Sequence, residues 1–258
     1  MGNASNGQFV WYEHLATDPK AAIAFYSEVV GWKTQPFGEG SDYLMWVGTE
    51  GPLGGVMKLP DEAAKMGAPP HWMANVQVAN VDATVALVKK LGGKVYKEAE
   101  DIPTVGRFAV IADPQGASLS VFEPSRPMAL HDASKPGEFC WSELLTSDSA
   151  AAFEFYAQVL GWKMVQEMDM GPMGTYRIFG LGETMLGGMM TTPKGAPMPP
   201  MWLYYTETDD LDAAIARATK RGAKVMNGPM EVPGGARIAQ FMDPQGAAFA
   251  LHEVPKKK

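Results

Sequence analysis

Residues 8–16 are rich in aromatic and β-favouring side chains and run into Thr17-Asp18-Pro19, a cap followed by a first-turn proline. A strand should therefore hand over to a helix at that point. Ala22, Ile23, Phe25, Tyr26, Val29 and Val30 then form one helical apolar stripe, and Gly31 supplies a left-handed stop. Three short strands are expected at about 32–37, 42–48 and 53–58, separated by glycine-containing turns, which makes a βαβββ unit. The pattern returns with a strand at 72–79, a helix at about 81–91 ended by Gly92-Gly93, and strands near Lys94, Arg107 and Leu119. Between the last two, Asp113-Pro114-Gln115-Gly116 reads as a tight hairpin turn.

The whole arrangement occurs twice. Trp11 matches Trp141, Glu13 matches Glu143, Asp18 matches Asp148 and Phe25-Tyr26 matches Phe155-Tyr156, all at an offset of 130. Tyr43 with Tyr176, and Gly54-Gly55 with Gly187-Gly188, shift to 133, so the second copy carries a three-residue insertion near 168–173. Asp113-Pro-Gln-Gly116 and Asp243-Pro-Gln-Gly246 restore the offset of 130. The expected organisation is a first domain at 7–124, a connector at 125–137 rich in proline and serine, and a second domain at 138–255. The fold class is α+β, with two tandem domains, each of paired βαβββ units forming a curved mixed sheet around a cleft.

At 258 residues and 46% hydrophobic content the chain can bury two cores. A net charge of -7 argues against a nucleic-acid or anionic-membrane surface, and Lys256, Lys257 and Lys258 are the one basic run, expected to be a frayed tail. No apolar stretch is long enough to span a bilayer, and residues 1–7 read as a disordered leader rather than a signal peptide. The single cysteine, Cys140, excludes an intrachain disulfide framework and a cysteine-based zinc site, which fits a cytoplasmic protein. No Walker loop, dinucleotide fingerprint or nucleophile elbow is present.

The ordered set of strand, Asp18, alanine-rich turn, Phe25-Tyr26, Gly31-Trp32 and Asp113-Pro-Gln-Gly116 before a last strand resembles the vicinal oxygen chelate superfamily, which includes glyoxalase I, extradiol dioxygenases and bleomycin-resistance proteins. That resemblance covers nearly the whole chain twice and implies metal ligands on the first, fourth, fifth and eighth strands. Carried over by position, those places hold Trp11, the stretch 55–57, Met73 and Ser120 in the first copy, and Trp141, the stretch 188–190, Leu203 and Ala250 in the second. Neither set supplies the histidines and carboxylates of a family-type chelate, so no metal is expected.

Strand alternation selects a cleft wall: Trp11, Glu13 and Leu15; Met73, Asn75 and Gln77; Ser118, Ser120 and Phe122. The second copy offers Trp141, Glu143 and Leu145; Leu203, Tyr205 and Glu207; Ala248, Ala250 and His252. Aromatic walls with a few polar groups suit small-molecule pockets, although either tryptophan could equally plug its cleft. Arg107 and Arg237 hold equivalent positions and could anchor an anion or form surface ion pairs. His14 has the opposite parity to Trp11 and should face the helix, His71 should sit at a rim, His131 in the solvated connector, and His252 at a pocket rim. No sequence pattern clusters these histidines. The expected function is metal-independent binding of a small apolar or amphipathic molecule without a cofactor, by a monomer or homodimer. The alternative is a glyoxalase-like lyase or isomerase, or an oxygenase-like hydroxylase.

Overall fold

The computed structural model describes residues 4–38, 41, 43–195 and 198–255. Its first copy runs β1 (Phe9–Ala16), α1 (Pro19–Val29), β2 (Lys33–Pro36), β3 (Leu44–Val47), β4 (Pro52–Lys58), α2 (Asp61–Lys65), β5 (His71–Gln77), α3 (Val81–Lys90), β6 (Lys94–Ile102), β7 (Gly106–Ala112) and β8 (Ser118–Pro124). The second runs β9 (Phe139–Thr146), α4 (Ser149–Leu160), β10 (Lys163–Asp169), β11 (Thr175–Leu181), β12 (Thr184–Thr191), β13 (Met201–Glu207), α5 (Leu211–Lys220), β14 (Lys224–Glu231), β15 (Arg237–Met242) and β16 (Ala248–Glu253). The α+β, doubled βαβββ reading is therefore what the chain adopts. The short α2 is an addition, because none of its five residues is buried and so no apolar stripe announces it. A 3₁₀ turn at Gly171–Met173 takes up the insertion.

Local chemistry sets the boundaries. Asp18 accepts hydrogen bonds from the Lys20 and Ala21 amides at 3.0 and 3.1 Å, and Asp148 accepts from Ala150 and Ala151 at 3.1 and 3.0 Å, so both helices start where the caps stand. Gly161 ends α4 at φ 76°, a backbone conformation that favours glycine. The Asp113 Oδ1 closes its hairpin by accepting from the amides of Gly116 and Ala117 at 2.7 and 2.9 Å. Two eight-stranded mixed sheets result, ordered β2-β3-β4-β1-β5-β8-β7-β6 and β10-β11-β12-β9-β13-β16-β15-β14. The β1–β4 and β5–β8 pairs are parallel, with Glu13 opposite Gly55 and Asn75 opposite Ser120.

Compact packing divides the chain differently from the repeat. One unit gathers the residues up to Val10, Met73–Leu130 and Trp141–Leu203, and the other Trp11–Trp72, His131–Cys140 and Tyr204–Lys258. Each unit thus joins one half of the first copy to the opposite half of the second. In the unit containing α1, Tyr26 is fully buried, donates to Asp243 Oδ2 at 3.0 Å and accepts from Trp72 Nε1 at 2.8 Å. His14 is fully buried there, stacked on Trp72, with its Nε2 3.4 Å from Asp243 Oδ2, which is the helix-side placement its parity requires. In the unit containing α4, Tyr156 donates to the Ala117 carbonyl at 3.4 Å and accepts from Trp202 at 3.2 Å. There Phe9 lies against Trp162, Phe179 and Trp202.

Two expectations are corrected. Residues 4–7 are not a free leader: the Ala4 amide donates to Met128 O and the Gly7 amide to Gln77 O, both at 2.8 Å, while the buried Trp162 indole donates to Gly7 O at 2.7 Å. The reason is that a buried indole N–H needs an acceptor, and the strand entry supplies it. His131 is not simply solvated, since its Nδ1 lies 2.7 Å from the carboxylate of Glu138, a residue only 1% exposed. That hydrogen bond holds its pKa above the usual histidine value. The expected lysine tail at 256–258, residues 1–3 of the leader and Asp42 of the third strand lie outside the described residues. Among the described residues, no helix is long and apolar enough to cross a membrane.

The two equivalent tryptophans make the same bond, because Trp32 Nε1 donates to Gly137 O at 2.6 Å just as Trp162 does to Gly7. Trp32→Phe and Trp162→Phe should each cost about 1–3 kcal/mol, from the carbonyl left unsatisfied and the lost ring area. Urea unfolding checks this, and parental stability in both variants would remove the indole bonds from the account.

Candidate functional site

On β1 the side chains of Trp11 and Glu13 fall on one face, and Gly55 stands opposite Glu13 on β4. Tyr43, just before β3, completes the group. Trp11 Nε1 donates to Glu13 Oε1 at 2.9 Å and lies 3.0 Å from the Tyr43 hydroxyl, which itself donates to the same carboxylate oxygen at 2.6 Å. A Cβ at Gly55 would sit 1.8 Å from the Tyr43 hydroxyl and 2.6 Å from Glu13 Oε2, so only glycine admits the pair. The second copy repeats the design: Trp141 Nε1 donates to the Tyr176 hydroxyl at 2.9 Å, Gly188 stands opposite Glu143, and a Cβ at Gly188 would lie 2.2 Å from the Tyr176 ring.

Burial pushes the Glu13 carboxyl above its usual pKa, against the opposing pull of the Tyr43 and Trp11 donors. Burial and the nearby carboxylate push Tyr43 above the usual tyrosine range, and burial and Glu143 do the same to Tyr176. Glu13 Oε1 is thus held by two donors, while Oε2 is buried without a hydrogen-bond partner among the described residues. The sequence reading missed both tyrosines as site members. Their signal was present in the shared 133 offset of Tyr43/Tyr176 and the glycine pairs, since a ring and the gap that receives it must shift together.

The other predicted residues separate into distinct places. Met73, Asn75 and Ser120 are buried on β5 and β8, where Asn75 faces Ser120 and Gln77 faces Phe122 in register, and Ser118 is half-buried. Among the described residues Ser120 Oγ and Gln77 Oε1 are buried without hydrogen-bond partners, although Gln77 Nε2 donates to Ala4 O at 3.3 Å. The buried Tyr205 accepts from Gln240 Nε2 at 2.6 Å. His71 opens β5 and its Nδ1 lies 2.7 Å from Pro69 O. Arg107 and Arg237 are committed to ion pairs: Arg107 holds Asp82 at 3.0 and 2.9 Å and Asp101 at 2.9 Å, and Arg237 holds Asp212 at 3.0 and 2.8 Å and Glu253 at 3.2 Å. Their guanidinium donors are spent on carboxylates rather than presented to an anionic ligand.

One grouping was not foreseen. Glu207 faces His252 across β13 and β16, with His252 Nδ1 2.6 Å from Glu207 Oε2, and the donor atoms of Cys140, Glu207 and His252 lie within 4.8 Å of one another. The argument against zinc from a lone cysteine considered thiolates by themselves, whereas the fold assembles a mixed set. The family-type chelate fares differently. Its positions hold Trp11, the stretch 55–57, Met73 and Ser120 in one copy and Trp141, the stretch 188–190, Leu203 and Ala250 in the other, with no histidine or carboxylate among them. Indole N–H only donates, glycine, leucine and alanine offer no side-chain ligand, and the Gly55 and Gly188 positions are crowded by tyrosine. These residues do not fit that metal.

Residues 139–251 match the Glyoxalase/Bleomycin resistance protein/Dioxygenase superfamily, and residues 11–122 match a Glyoxalase-like domain. The chain is 33% identical over 244 residues to a Mycobacterium bovis protein named "Putative glyoxylase CFP32", covering 93% of this chain and 92% of that one. It is 28% identical over 267 residues to the Streptomyces peucetius anthracycline biosynthesis protein DnrV, covering 98% and 96%. Among solved structures it is similar to a Mn(II)-bound glyoxalase from Novosphingobium aromaticivorans, with TM-score 0.65, 18% identity and coverage of 96% of this chain and 82% of that one. It also resembles a variant of homoprotocatechuate 2,3-dioxygenase from B. fuscum, with TM-score 0.67, 14% identity and coverage of 97% and 72%.

An acid whose folded pKa is raised holds its proton longer folded than unfolded, so stability falls as pH rises from the unfolded pKa to the folded one. Glu13→Gln keeps an Oε1 acceptor for Trp11 and Tyr43 and removes that loss. Its unfolding free energy relative to the parent, followed by urea unfolding, should therefore climb as pH is raised from about 4.5. A pH-independent difference would mean that Glu13 is not raised.

Proposed function

Because the chain belongs to the glyoxalase/bleomycin resistance protein/dioxygenase superfamily, with one copy of the domain in residues 11–122 and another in 139–251, we propose that it binds a small apolar or amphipathic molecule without a family-type metal chelate. The observation that carries the proposal is Glu13 Oε2, a buried carboxyl oxygen with no partner among the described residues, beside an indole and a phenol. A buried, unsatisfied polar atom costs free energy, and a ligand donor or acceptor placed against it would recover that cost. Trp11, in the same compact unit as Glu13, would supply flat apolar area beside it.

A second reading, a metal-free enzyme, is favoured by the raised carboxyl of Glu13. A buried carboxyl poised above its usual pKa suits proton transfer to or from a bound substrate. In that reading Glu13 moves the proton, while Tyr43 and Trp11 hold the carboxylate in place through Oε1. The names of the relatives, a glyoxylase and an anthracycline biosynthesis protein, are compatible with small organic substrates.

A fragment library screened by ligand-observed NMR in excess chelator separates these statements. The parent should bind, and Glu13→Gln should weaken binding by about tenfold or more while its melting temperature at neutral pH stays at or above the parent's. Parent binding that disappears with chelator, or that survives the substitution unchanged, would refute the site.

A further inference from the structure

Cys140 is the second residue of β9, Glu207 the last of β13, and His252 lies on β16 directly opposite Glu207. All three belong to the same compact unit. Cys140 Sγ donates to Tyr205 O at 3.4 Å, which directs the thiol to the β13 side where Glu207 stands two residues on. Glu207 is 3% exposed, and the Val254 amide fixes its Oε1 at 3.1 Å, leaving Oε2 to meet the His252 ring at 2.6 Å. From this constellation we propose that Cys140, Glu207 and His252 bind one divalent cation of the zinc class per chain, with a fourth coordination position left for water.

The chemistry of the donors selects the ion. Thiolate, imidazole and carboxylate together suit a borderline-soft, four-coordinate cation, with bonds of about 2.3 Å to sulfur and about 2.0–2.2 Å to nitrogen and oxygen. A hard ion such as magnesium or calcium would prefer oxygen throughout. Such bonds separate tetrahedral ligand atoms by about 3.3–3.8 Å, so a spread of at most 4.8 Å needs small side-chain adjustment, and the 2.6 Å His252–Glu207 contact must open by about 1 Å. The cation takes the place between the two atoms that the hydrogen of the metal-free contact occupies.

Burial, and then the charge of Glu207, holds the Cys140 thiol well above its usual pKa, which a bound cation must overcome. A divalent cation offsets the charge of Glu207 and displaces the thiol proton, leaving thiolate and carboxylate on the metal. Glu207 also lines a recess of about 250 Å³ with Thr208, Asp209, Asp210 and Arg217. The Arg217 guanidinium donates to Val29 O at 3.0 Å, while Asp209 and Asp210 favour an entering cation.

The site is not the emptied family-type position. It uses the first, fifth and eighth strands of the second copy, but at residues displaced from Trp141, Leu203 and Ala250. The repeat supplies an internal control as well, because at the offset of 130 the first copy has Val10, Gln77 and Phe122, which cannot form the set. The stoichiometry must therefore be one per chain, although the domain occurs twice.

The test is titration of the chelator-stripped full-length protein with Co²⁺, followed by displacement with Zn²⁺. A thiolate-to-cobalt charge-transfer band should saturate at one equivalent, vanish in Cys140→Ser, and require at least about tenfold more metal in His252→Ala. Absence of a saturable band in the parent, or an unchanged titration in His252→Ala, overturns the assignment. Should either variant fail to fold by circular dichroism, the parent decides the matter by itself. Cys140 is the single thiol, so one equivalent of Zn²⁺ should slow its alkylation by iodoacetamide about tenfold or more, and equal rates with and without zinc refute the site.

Discussion

The arrangement rests on two buried phenols. Tyr26 and Tyr156, the second aromatic residues of their helices, are 1% and 0% exposed, and a hydroxyl so placed must have partners or cost about 1–3 kcal/mol. One partner in each case is a tryptophan of the same copy, Trp72 or Trp202, and the other belongs to the turn of the opposite copy, at Asp243 or Ala117. The duplicated Asp-Pro-Gln-Gly turn therefore does more than join two strands. It closes the helix face of a half-copy that its own sequence neighbours leave open, which is why each compact unit draws on both copies.

The two turns are alike in sequence but not in the surroundings of their aspartates. Burial pushes the Asp113 carboxyl up, against its backbone donors, whereas at Asp243 burial is outweighed by His14 and by the Ala247 and Gln245 amides, which hold it below the usual value. The first-strand difference between His14 and Leu144 is thus read out far along the chain, at the turn that each strand's unit contains. The same divergence appears in the strand ends, where Cys140, Glu207 and His252 gather in one unit while their counterparts Val10, Gln77 and Phe122 do not provide the same donors.

The Trp–Tyr–Glu group is built from side chains that fit only together. A tryptophan on β1 or β9 points its N–H at a tyrosine hydroxyl, and that ring fits because the parallel neighbour carries glycine. The three changes are mutually dependent: a side chain at Gly55 would expel Tyr43, and without Tyr43 the Glu13 carboxylate would lose one of its two donors. What remains in the first copy is a carboxyl held firmly through one oxygen and bare at the other.

Much of this was legible in the sequence, because periodicity, caps and the 130-residue offset are local or self-referential signals. Strand alternation correctly put Trp11 beside Glu13 on one face and His14 on the other, and the turn residues marked the hairpins. It could not show that Arg107 and Arg237 would be taken up by Asp82 and Asp212, residues 25 positions earlier, nor that Gly7 would receive the indole of Trp162, 155 positions away. It also gave no reason to group Cys140 with Glu207 and His252, which are brought together only when three strands meet. By itself, then, the sequence determined the repeated βαβββ units, their helix and turn boundaries, and which face each strand residue occupies, since these depend on neighbours a few positions apart. The tertiary structure decided which half-copies share a core and which polar groups find partners, because burial and hydrogen-bond satisfaction are settled among residues that only folding brings into contact.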